Sequence, residues 1–405
     1  NMELNFGRFI NALSDTVDLV GVDELHHSKR VAFMAAECKK TLGGDKSQQQ
    51  QVFRQGLLHD CGVSSTKVHD RLVSEFEWKD SEIHCLVGSS RMLNFAPLAE
   101  YADAVRYHHT RWEDLQHVNI DEEVMVNANL IYLLDRVDAL TGAVGPKNRL
   151  ACRDEVCEKI ASYRDSHFKP ELVDAFWDTA EKEAFWITQE NNHLTDYLRL
   201  NSLDYDNVLL VTEQLKDMAC IFAQVVDAKS SYTAEHSFGV SRLAGYLSKQ
   251  CQLESETSTK IEVAGLLHDL GKLQIPDQIL EHDGELDAES MAVMRHHSYV
   301  TYIILSKIGG LGDIAVWASD HHEKLDGSGY PFKKQGRELP LESRIIAVAD
   351  IFQALAQDRP YRTSLSADNI VEKLESDVSK GKLDKELVRI VAANPNKCYR
   401  KAVNW

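Results

Sequence analysis

The sequence carries one pattern of histidines and aspartates twice. A His-Asp pair occurs in LLHDCG at 57–62 and again in LLHDLG at 266–271, 209 positions later. In both copies a His-Ser dipeptide begins 32 residues before the His of that pair, and another histidine precedes an adjacent His-His pair by 24 residues. Self-similarity on this scale is typical of a duplicated structural unit. The spacings therefore predict two tandem copies of one fold, each about 190 residues long.

Each copy predicts helices rather than strands. Apolar residues recur at helical spacing, for example at Val240, Leu243 and Leu247, whereas alternating apolar and polar residues are scarce. A chain of 405 residues with 43% hydrophobic content can bury two cores of ordinary size. We expect an all-α protein with two domains, at 1–200 and 201–405.

The repeated residues are of the types that bind metal ions. In the second copy they are five imidazoles and two carboxylates: His236, His268, Asp269, His297, His321, His322 and Asp350. One ion cannot use seven such ligands, but two ions can if a carboxylate bridges them, and we expect Asp269 to be that bridge. Imidazole-rich sites suit transition metals better than Mg or Ca. We expect two divalent ions, Fe or Mn before Ni, Co or Zn, in a hydrolase of phosphodiesters.

A glycine-rich segment follows the His-His pair of the second copy. It reads HHEKLDGSGYP at 321–331, and together with HDLGK at 268–272, VAD at 348–350 and RPYR at 359–362 it resembles the HD-GYP phosphodiesterases. The resemblance extends over about 207–395, and the DGxGYP element distinguishes this family within the HD superfamily. It implies hydrolysis of a 3′,5′-cyclic dinucleotide, cyclic di-GMP or 3′,3′-cyclic GMP-AMP, to a linear dinucleotide, which ends a bacterial second-messenger signal.

The resemblance also implies roles for individual residues. The seven residues of the second copy are its metal ligands, Asp269 and Lys272 are catalytic, and Lys272, Arg359 and Arg362 hold the phosphates and a guanine. The residue types agree with these roles. Lys272 lies four positions beyond His268 and can place a point charge beside a phosphate, whereas an Arg offers a planar fork.

Five positions depart from the family pattern. A Glu that binds a third metal in some members is Tyr232 here, so we expect two ions. An Asp proposed to assist proton transfer is Ser230, and the usual Arg three residues after the first His is Gly239. A usual Gly is Thr301, and the Asp often found three residues after the last ligand is Gln353. These changes leave the predicted metal ligands complete.

The first copy keeps the ligand residues and lacks the rest. Its candidate metal ligands are His27, His59, Asp60, His84, His108, His109 and Asp135. Val63 stands at the position of Lys272, HHTRWEDLQHV at 108–118 replaces the GYP segment, and TGAVGP stands where RPYR would follow. We expect a degenerate HD domain with a regulatory or structural role. Whether it holds metal, or acts on another phosphate ester, is left open.

Charge and cysteine content limit the partners. The net charge of −18 repels nucleic acid and anionic membrane, and no apolar run approaches the ~20 residues of a membrane helix. The 8 scattered cysteines and the lack of an N-terminal signal segment favour a reduced, cytoplasmic protein. We expect a cyclic dinucleotide as the ligand, with no DNA or RNA partner. A homodimer or a signalling partner is left open.

Two other functions compete with this prediction. The protein could be a non-catalytic receptor for the nucleotide, or an HD phosphohydrolase that acts on another nucleotide such as an alarmone. The complete ligand set and Lys272 argue against the receptor. The GYP segment and RPYR argue against the other hydrolase.

Overall fold

The computed structural model divides the chain into two compact units. One contains residues 6–207, and the other contains residues 1–5 together with 208–405. The structure describes residues 2–19, 26–63, 81–142, 149–201, 207–229, 235–282, 284–358 and 363–403. The predicted site residues Arg359 and Arg362, and the departures at Ser230 and Tyr232, lie outside these residues.

The prediction of an all-α protein is confirmed. The described part of the chain is built mainly from helices, and its two strands are four residues each: β1 at Met2–Asn5 and β2 at Asn207–Leu210, which pair with each other. None of the helices described is long and apolar enough to cross a membrane.

Helices of the N-terminal unit surround one apolar core. Their bounds are α1 Phe6–Asp18, α2 His27–Thr41, α3 Lys46–Leu58, α4 Glu82–Leu93, α5 Ala102–Tyr107, α6 Trp112–Leu115, α7 Glu122–Gly142, α8 Arg153–Ala161, α9 Pro170–Ala180, α10 Glu183–Ile187 and α11 Asn191–Asn201, with 3₁₀ turns at Ala96–Tyr101 and Leu150–Cys152. Helix α2 packs against α3 and α7, and Leu134, Phe176 and Trp186 are buried in the core. Helix α3 begins at a capping box, in which the Asp45 side chain accepts from the Gln48 N–H and the Gln48 side chain accepts from the Asp45 N–H.

The C-terminal unit repeats this arrangement. Its helices are α12 Thr212–Lys229, α13 His236–Gln250, α14 Ser255–Leu267, α15 Asp277–Leu280, α16 Ala288–Met294, α17 His296–Lys307, α18 Gly312–Ser319, α19 Leu341–Ala356, α20 Ala367–Ser379, α21 Lys385–Ala393 and α22 Pro395–Val403, with 3₁₀ turns at Leu270–Gln274, Asp320–His322 and Gly336–Glu338. Helix α13 packs against α14 and α19. The apolar spacing noted in the sequence belongs to α13, whose Val240, Leu243 and Leu247 are fully buried.

Corresponding helices of the two units carry corresponding candidate ligands. Helices α2 and α13 begin at the first histidine, and α3 and α14 end immediately before the His-Asp pair. Helices α4 and α17 carry the third histidine, and α7 and α19 carry the last aspartate. Each unit therefore delivers its ligands from separate helices to one place.

The glycine of each His-Asp motif has a packing role. A Cβ atom on Gly62 would overlap the carbonyl oxygen of His84, and one on Gly271 would overlap the carbonyl oxygen of His297. The turn after the His-Asp pair thus lies directly against the helix that carries the third histidine. Only glycine permits so close an approach of two backbones.

Candidate metal centre and active site

Four histidines of the C-terminal unit have their ring orientation fixed by hydrogen bonds. The Nδ1 atoms of His268, His297 and His321 lie 2.7, 2.6 and 2.6 Å from the backbone carbonyl oxygen three residues earlier in the chain. His236 Nδ1 is bonded instead to the side-chain oxygen of Gln353. Donation from Nδ1 leaves a lone pair on Nε2, which is the arrangement found in metal-binding histidines.

Asp269 lies between two pairs of histidines. Its Oδ2 is 3.5 Å from His236 Nε2 and 3.4 Å from His268 Nε2. Its Oδ1 is 3.6 Å from His297 Nε2 and 3.8 Å from His321 Nε2. Each carboxylate oxygen therefore faces a different pair, as a carboxylate shared by two neighbouring ions would.

The remaining candidate ligands complete two groups. His236, His268 and Asp350 form one group, and His297, His321 and His322 form the other, with ligand atoms within 4.8 Å of one another in each. Within the first group, Asp350 Oδ1 is 3.2 Å from His236 Nε2. Nitrogen-rich donor groups of this kind fit divalent transition-metal ions.

Burial and charge set the protonation states of this cluster. Burial opposes a charge on His268, but Asp269 and Asp350 outweigh it and raise the pKa of His268 to about 10. Burial lowers the pKa of His297 to about 4 and that of His322 to about 3. Burial also opposes ionisation of Asp269, but His268 outweighs it and the pKa of Asp269 is well below its ordinary value. Asp269, His297 and His322 thus have the ionised or neutral form that a metal ligand needs, whereas His268 must lose a proton when an ion binds.

Lys272 lies at the edge of the cluster. Its Nζ is 2.6 Å from Asp269 Oδ2, and its side chain is 22% exposed. The ammonium group thus contacts the shared carboxylate and is also accessible from outside. In the N-terminal unit the matching Val63 is buried.

The GYP segment is held in place by Glu323, a residue to which the sequence motifs assign no role. Its carboxylate accepts the backbone N–H groups of Phe332 at 2.6 Å and Lys334 at 3.1 Å. Gly329 packs so closely on the backbone of His322 and Glu323 that a side chain there would overlap it. The sequence marks Glu323 only as the third residue of the HHE triplet, and the triplet does not indicate which atoms its carboxylate binds.

Aromatic and cationic groups adjoin the second group of ligands. The Tyr330 ring lies 4.8 Å from the His322 ring, and the Arg295 guanidinium lies 5.1 Å from the centre of the Tyr330 ring. Tyr299 and Phe332 form an edge-to-face pair and are 50% and 39% exposed. No motif marks Arg295 or Tyr299, because their positions depend on the fold rather than on local sequence.

The candidate ligands of the N-terminal unit also come together. Asp60 Oδ2 is 3.4 Å from the Nε2 atoms of both His27 and His59. Asp60 Oδ1 is 3.5 Å from His84 Nε2 and 4.0 Å from His108 Nε2. The N-terminal unit thus places its aspartate between two histidine pairs, as the C-terminal unit does.

Asp135 and His109 complete the N-terminal set. Asp135 Oδ1 is 3.2 Å from His27 Nε2, and Asp135 Oδ2 is 3.4 Å from His109 Nε2. Burial opposes a charge on His59, but Asp60 and Asp135 outweigh it and raise its pKa. The loss of the lysine and the GYP segment has not dispersed the ligand residues.

Comparison with known proteins places both units in one family. Residues 25–140 and 212–387 each match a family described as HD domain. The chain is 35% identical over 406 residues to 3′3′-cGAMP-specific phosphodiesterase 1 of Vibrio cholerae serotype O1, covering 99% of this chain and 94% of that protein. It is 36% identical over 148 residues to a cyclic di-GMP phosphodiesterase of Thermotoga maritima, covering 36% of this chain and 40% of that protein. The crystal structure of the cyclic GMP-AMP specific phosphodiesterase V-cGAP3 of V. cholerae has a TM-score of 0.64 at 21% identity, covering 98% of each chain, which shows a shared fold.

Proposed function

Because this chain belongs to the HD-GYP family of HD-domain phosphodiesterases, we propose that its C-terminal unit hydrolyses a 3′,5′-cyclic dinucleotide to a linear dinucleotide. The observation that carries the proposal is the position of Asp269, whose two oxygens face two different histidine pairs. Opening the ring removes the cyclic messenger and so ends a bacterial signal.

Two divalent ions are part of this proposal. His236, His268 and Asp350 would hold one of them, His297, His321 and His322 would hold the other, and Asp269 would be shared; Fe or Mn is the expected metal. The bound pair would supply a water of lowered pKa and positive charge beside the phosphoryl oxygens. The nitrogen and oxygen donors of this cluster fit such ions, since the bonded Nδ1 atoms leave the Nε2 atoms available as ligands.

Other residues of the unit bind and orient the substrate. Lys272 is 22% exposed beside the shared carboxylate, so its ammonium group can contact a phosphate held at the cluster. Arg359 and Arg362 are assigned to the phosphates and a guanine on the sequence pattern. Proton delivery to the leaving oxygen falls to Lys272 or to water, because Ser230 replaces the Asp proposed for that step in the family.

The preferred substrate is proposed to be 3′,3′-cyclic GMP-AMP rather than cyclic di-GMP. The relative matched over 99% of this chain is named as specific for 3′3′-cGAMP, whereas matched proteins named for cyclic di-GMP align with 25–64% of it. The named relatives are phosphodiesterases, which disfavours a receptor and a hydrolase of other nucleotides.

The test is hydrolysis by the full chain loaded with Mn or Fe(II). We expect metal-dependent conversion of both cyclic dinucleotides to linear products, with faster conversion of cyclic GMP-AMP. Chromatography and mass spectrometry would measure the products. His297→Ala should lower turnover by at least about a thousand-fold, since a metal supplies several kcal/mol of transition-state stabilisation. The control is His296→Ala, which removes the adjacent but exposed histidine and should leave turnover unchanged. Equal turnover by metal-loaded and metal-stripped enzyme would refute the proposal.

A further inference from the structure

The ligand geometry of the N-terminal unit matches that of the C-terminal unit closely. The first histidine lies 3.2 Å from the last aspartate in both units, through His27 and Asp135 in one and His236 and Asp350 in the other. The third and fourth histidines are 3.1 Å apart at Nε2 in the first unit and 3.2 Å apart in the second. Val63 stands where Lys272 approaches the shared carboxylate in the other unit, so the two clusters differ in this cation but not in the placement of the candidate ligands.

Three buried polar atoms of the N-terminal cluster have only contacts of 3.4 Å or more with other atoms of the cluster, without hydrogen-bond geometry to the described part of the chain. They are His59 Nε2, Asp60 Oδ2 and His109 Nε2, on side chains that are 0%, 2% and 4% exposed. A buried polar atom whose hydrogen bonding is incomplete destabilises a fold. Cations bound at the two neighbouring groups would satisfy these atoms, because His109 belongs to one group and His59 to the other.

His27 is supported by charged groups as a metal-binding histidine would be. Its Nδ1 lies 2.6 Å from Asp138 Oδ2, and Asp138 Oδ1 accepts from Arg30 Nε at 2.7 Å and from Arg149 Nη1 at 2.8 Å. A carboxylate on the far nitrogen fixes the ring and makes the imidazole a stronger ligand. In the C-terminal unit, the corresponding partner of His236 Nδ1 is the neutral amide of Gln353 instead of a carboxylate.

A thiol lies beside the second histidine pair of the N-terminal unit. Cys85 Sγ is 3.8 Å from His84 Nε2 and 4.0 Å from His108 Nε2. Two ligands of one tetrahedral Zn²⁺, a thiolate at ~2.3 Å and an imidazole at ~2.0 Å, lie about 3.5 Å apart. A small shift brings this set into range once the Cys85 thiol, which donates to the Ser81 carbonyl at 3.6 Å, releases its proton to solvent. The C-terminal unit has Ser298 at this position, with its Oγ 3.4 Å from His297 Nε2. Sulfur and imidazole together favour a thiophilic ion, whereas a hydroxyl does not.

We infer that the N-terminal unit is a second metal-binding unit, in which His84, His108, His109 and Cys85 hold a thiophilic ion such as Zn²⁺. This goes beyond the proposed function, which concerns the other unit. The neighbouring group of His27, His59 and Asp135 binds an ion more weakly, because Arg136 Nη2 donates to Asp135 Oδ2 at 2.7 Å and neutralises part of its charge. The two groups share Asp60.

The first experiment counts metal in the full chain. The variant Asp269→Ala/His297→Ala removes the C-terminal ions, and after loading with Zn²⁺ and dialysis the zinc content is measured by mass spectrometry. We expect about one zinc ion per chain to remain, and to be lost when His84→Gln/His109→Gln is added. Absence of zinc from the first variant, with its helical circular dichroism intact, would overturn the site. If that variant does not fold, Asp269→Asn/His297→Gln takes its place.

The second experiment identifies the sulfur ligand with Co²⁺ as the probe. In the same C-terminal variant, Co²⁺ should give a thiolate-to-cobalt charge-transfer band in the near ultraviolet. Cys85→Ser should abolish the band and weaken zinc binding by about ten- to a hundred-fold or more. Cys157→Ser, which removes another buried thiol of this unit, should change neither. A band that survives Cys85→Ser, or a folded cobalt-loaded protein without any band, would overturn the role of Cys85.

Discussion

The contact between Lys272 and Asp269 joins a cation to the carboxylate shared by both ligand groups. Because the ammonium group is 2.6 Å from Asp269 Oδ2, it reduces the negative charge that attracts metal ions. Its removal should therefore leave metal binding intact or make it tighter. A loss of activity in a Lys272 variant would then reflect a lost contact with the substrate rather than a loss of metal.

Lys272→Met should lower kcat by about 10²–10³-fold with full metal content, since it removes a positive charge from the developing negative charge of the phosphoryl group. Turnover and metal content would be measured on the same preparation. Lys380→Met, at an exposed position on the surface, is the matched control. Metal loss in Lys272→Met would show instead that this lysine holds the cluster together.

The raised pKa of His268 predicts that metal binding depends on pH. Burial opposes the charge, but Asp269 and Asp350 raise this pKa to about 10, so below that pH a proton must leave before the imidazole can bind metal. Affinity should therefore rise about tenfold per pH unit between about pH 6 and pH 9 and fall on acidification. The pKa values of about 4 for His297 and about 3 for His322 add no dependence in this range.

The measurement is calorimetric titration of the C-terminal site in buffers of different ionisation enthalpy. The variant His59→Gln/His84→Gln removes ligands of the N-terminal unit. In this variant, about one proton, that of His268, should be released when the C-terminal cluster of one chain is filled with metal. An affinity that is constant from about pH 6 to pH 9 would contradict the assigned proton.

Two of the departures from the family pattern, Gly239 and Gln353, are in contact with each other in the structure. The sequence shows Gly239 and Gln353 where the family has Arg and Asp, but it does not show that these residues touch. In the structure Gln353 is bonded to His236, and a Cβ atom on Gly239 would lie 2.8 Å from Gln353 Cγ and would overlap the carbonyl oxygen of Ala402. The N-terminal unit keeps the ionic version, Arg30 and Asp138. Spacing alone could not predict this, because the contact joins residues more than a hundred positions apart.

Gly239→Ala should therefore destabilise the protein and weaken metal binding. Overpacking against a backbone oxygen costs about 1–3 kcal/mol, which outweighs the gain of up to about 1 kcal/mol in helix propensity. Chemical denaturation would measure the change in unfolding free energy. Gly312→Ala is the control, since no atom lies within 4 Å of the added Cβ atom, and it should be neutral or slightly stabilising. Equal stability of both variants would argue against the packing described.

At the level of secondary structure, the sequence predicted which helices carry ligands but not how the rings are held. The helical periodicity and the repeated spacings indicate the helices and their common site. The Nδ1 partners of His268, His297 and His321 are backbone carbonyls, which carry no sequence signal. The departure at Thr301 also has a local reason, because its hydroxyl accepts from the Gly271 N–H at 2.8 Å and donates to the His268 carbonyl at 3.1 Å.

The GYP segment should lose its position in Glu323→Ala. Two backbone N–H groups, those of Phe332 and Lys334, lose their acceptor, so their hydrogen exchange should accelerate. Tyr330 would no longer be held against His322, and kcat/KM should fall by up to about a hundred-fold with metal retained.

Hydrogen exchange and kinetics on the same metal-loaded protein test this expectation. Glu372→Ala, at an exposed position of helix α20, is the control for removal of a carboxylate. Unchanged exchange at Phe332 in Glu323→Ala would mean that the segment is held by other contacts.

On the scale of the whole molecule, the strand pair joins the beginning of the chain to the C-terminal unit. Residues 1–5 belong to the same compact unit as 208–405, because β1 pairs with β2. The predicted domain boundaries, 1–200 and 201–405, depend on the sequence repeat and on the polar composition near residue 200. Neither of these two signals can detect a strand of four residues. Such strands are too short to show a periodic pattern, and their pairing is set by chain segments distant in sequence.

This pairing predicts that a substitution near the first residue acts on the C-terminal unit. Leu4 is fully buried in β1, so Leu4→Ala should lower the unfolding free energy by about 2–5 kcal/mol. Hydrogen exchange should accelerate at the β2 amides of residues 207–210, because their partner strand is held less firmly. Leu200→Ala removes the same side chain at a highly exposed position and should change neither quantity. Faster exchange confined to helices α2 and α3, with β2 unaffected, would instead assign the first strand to the N-terminal unit.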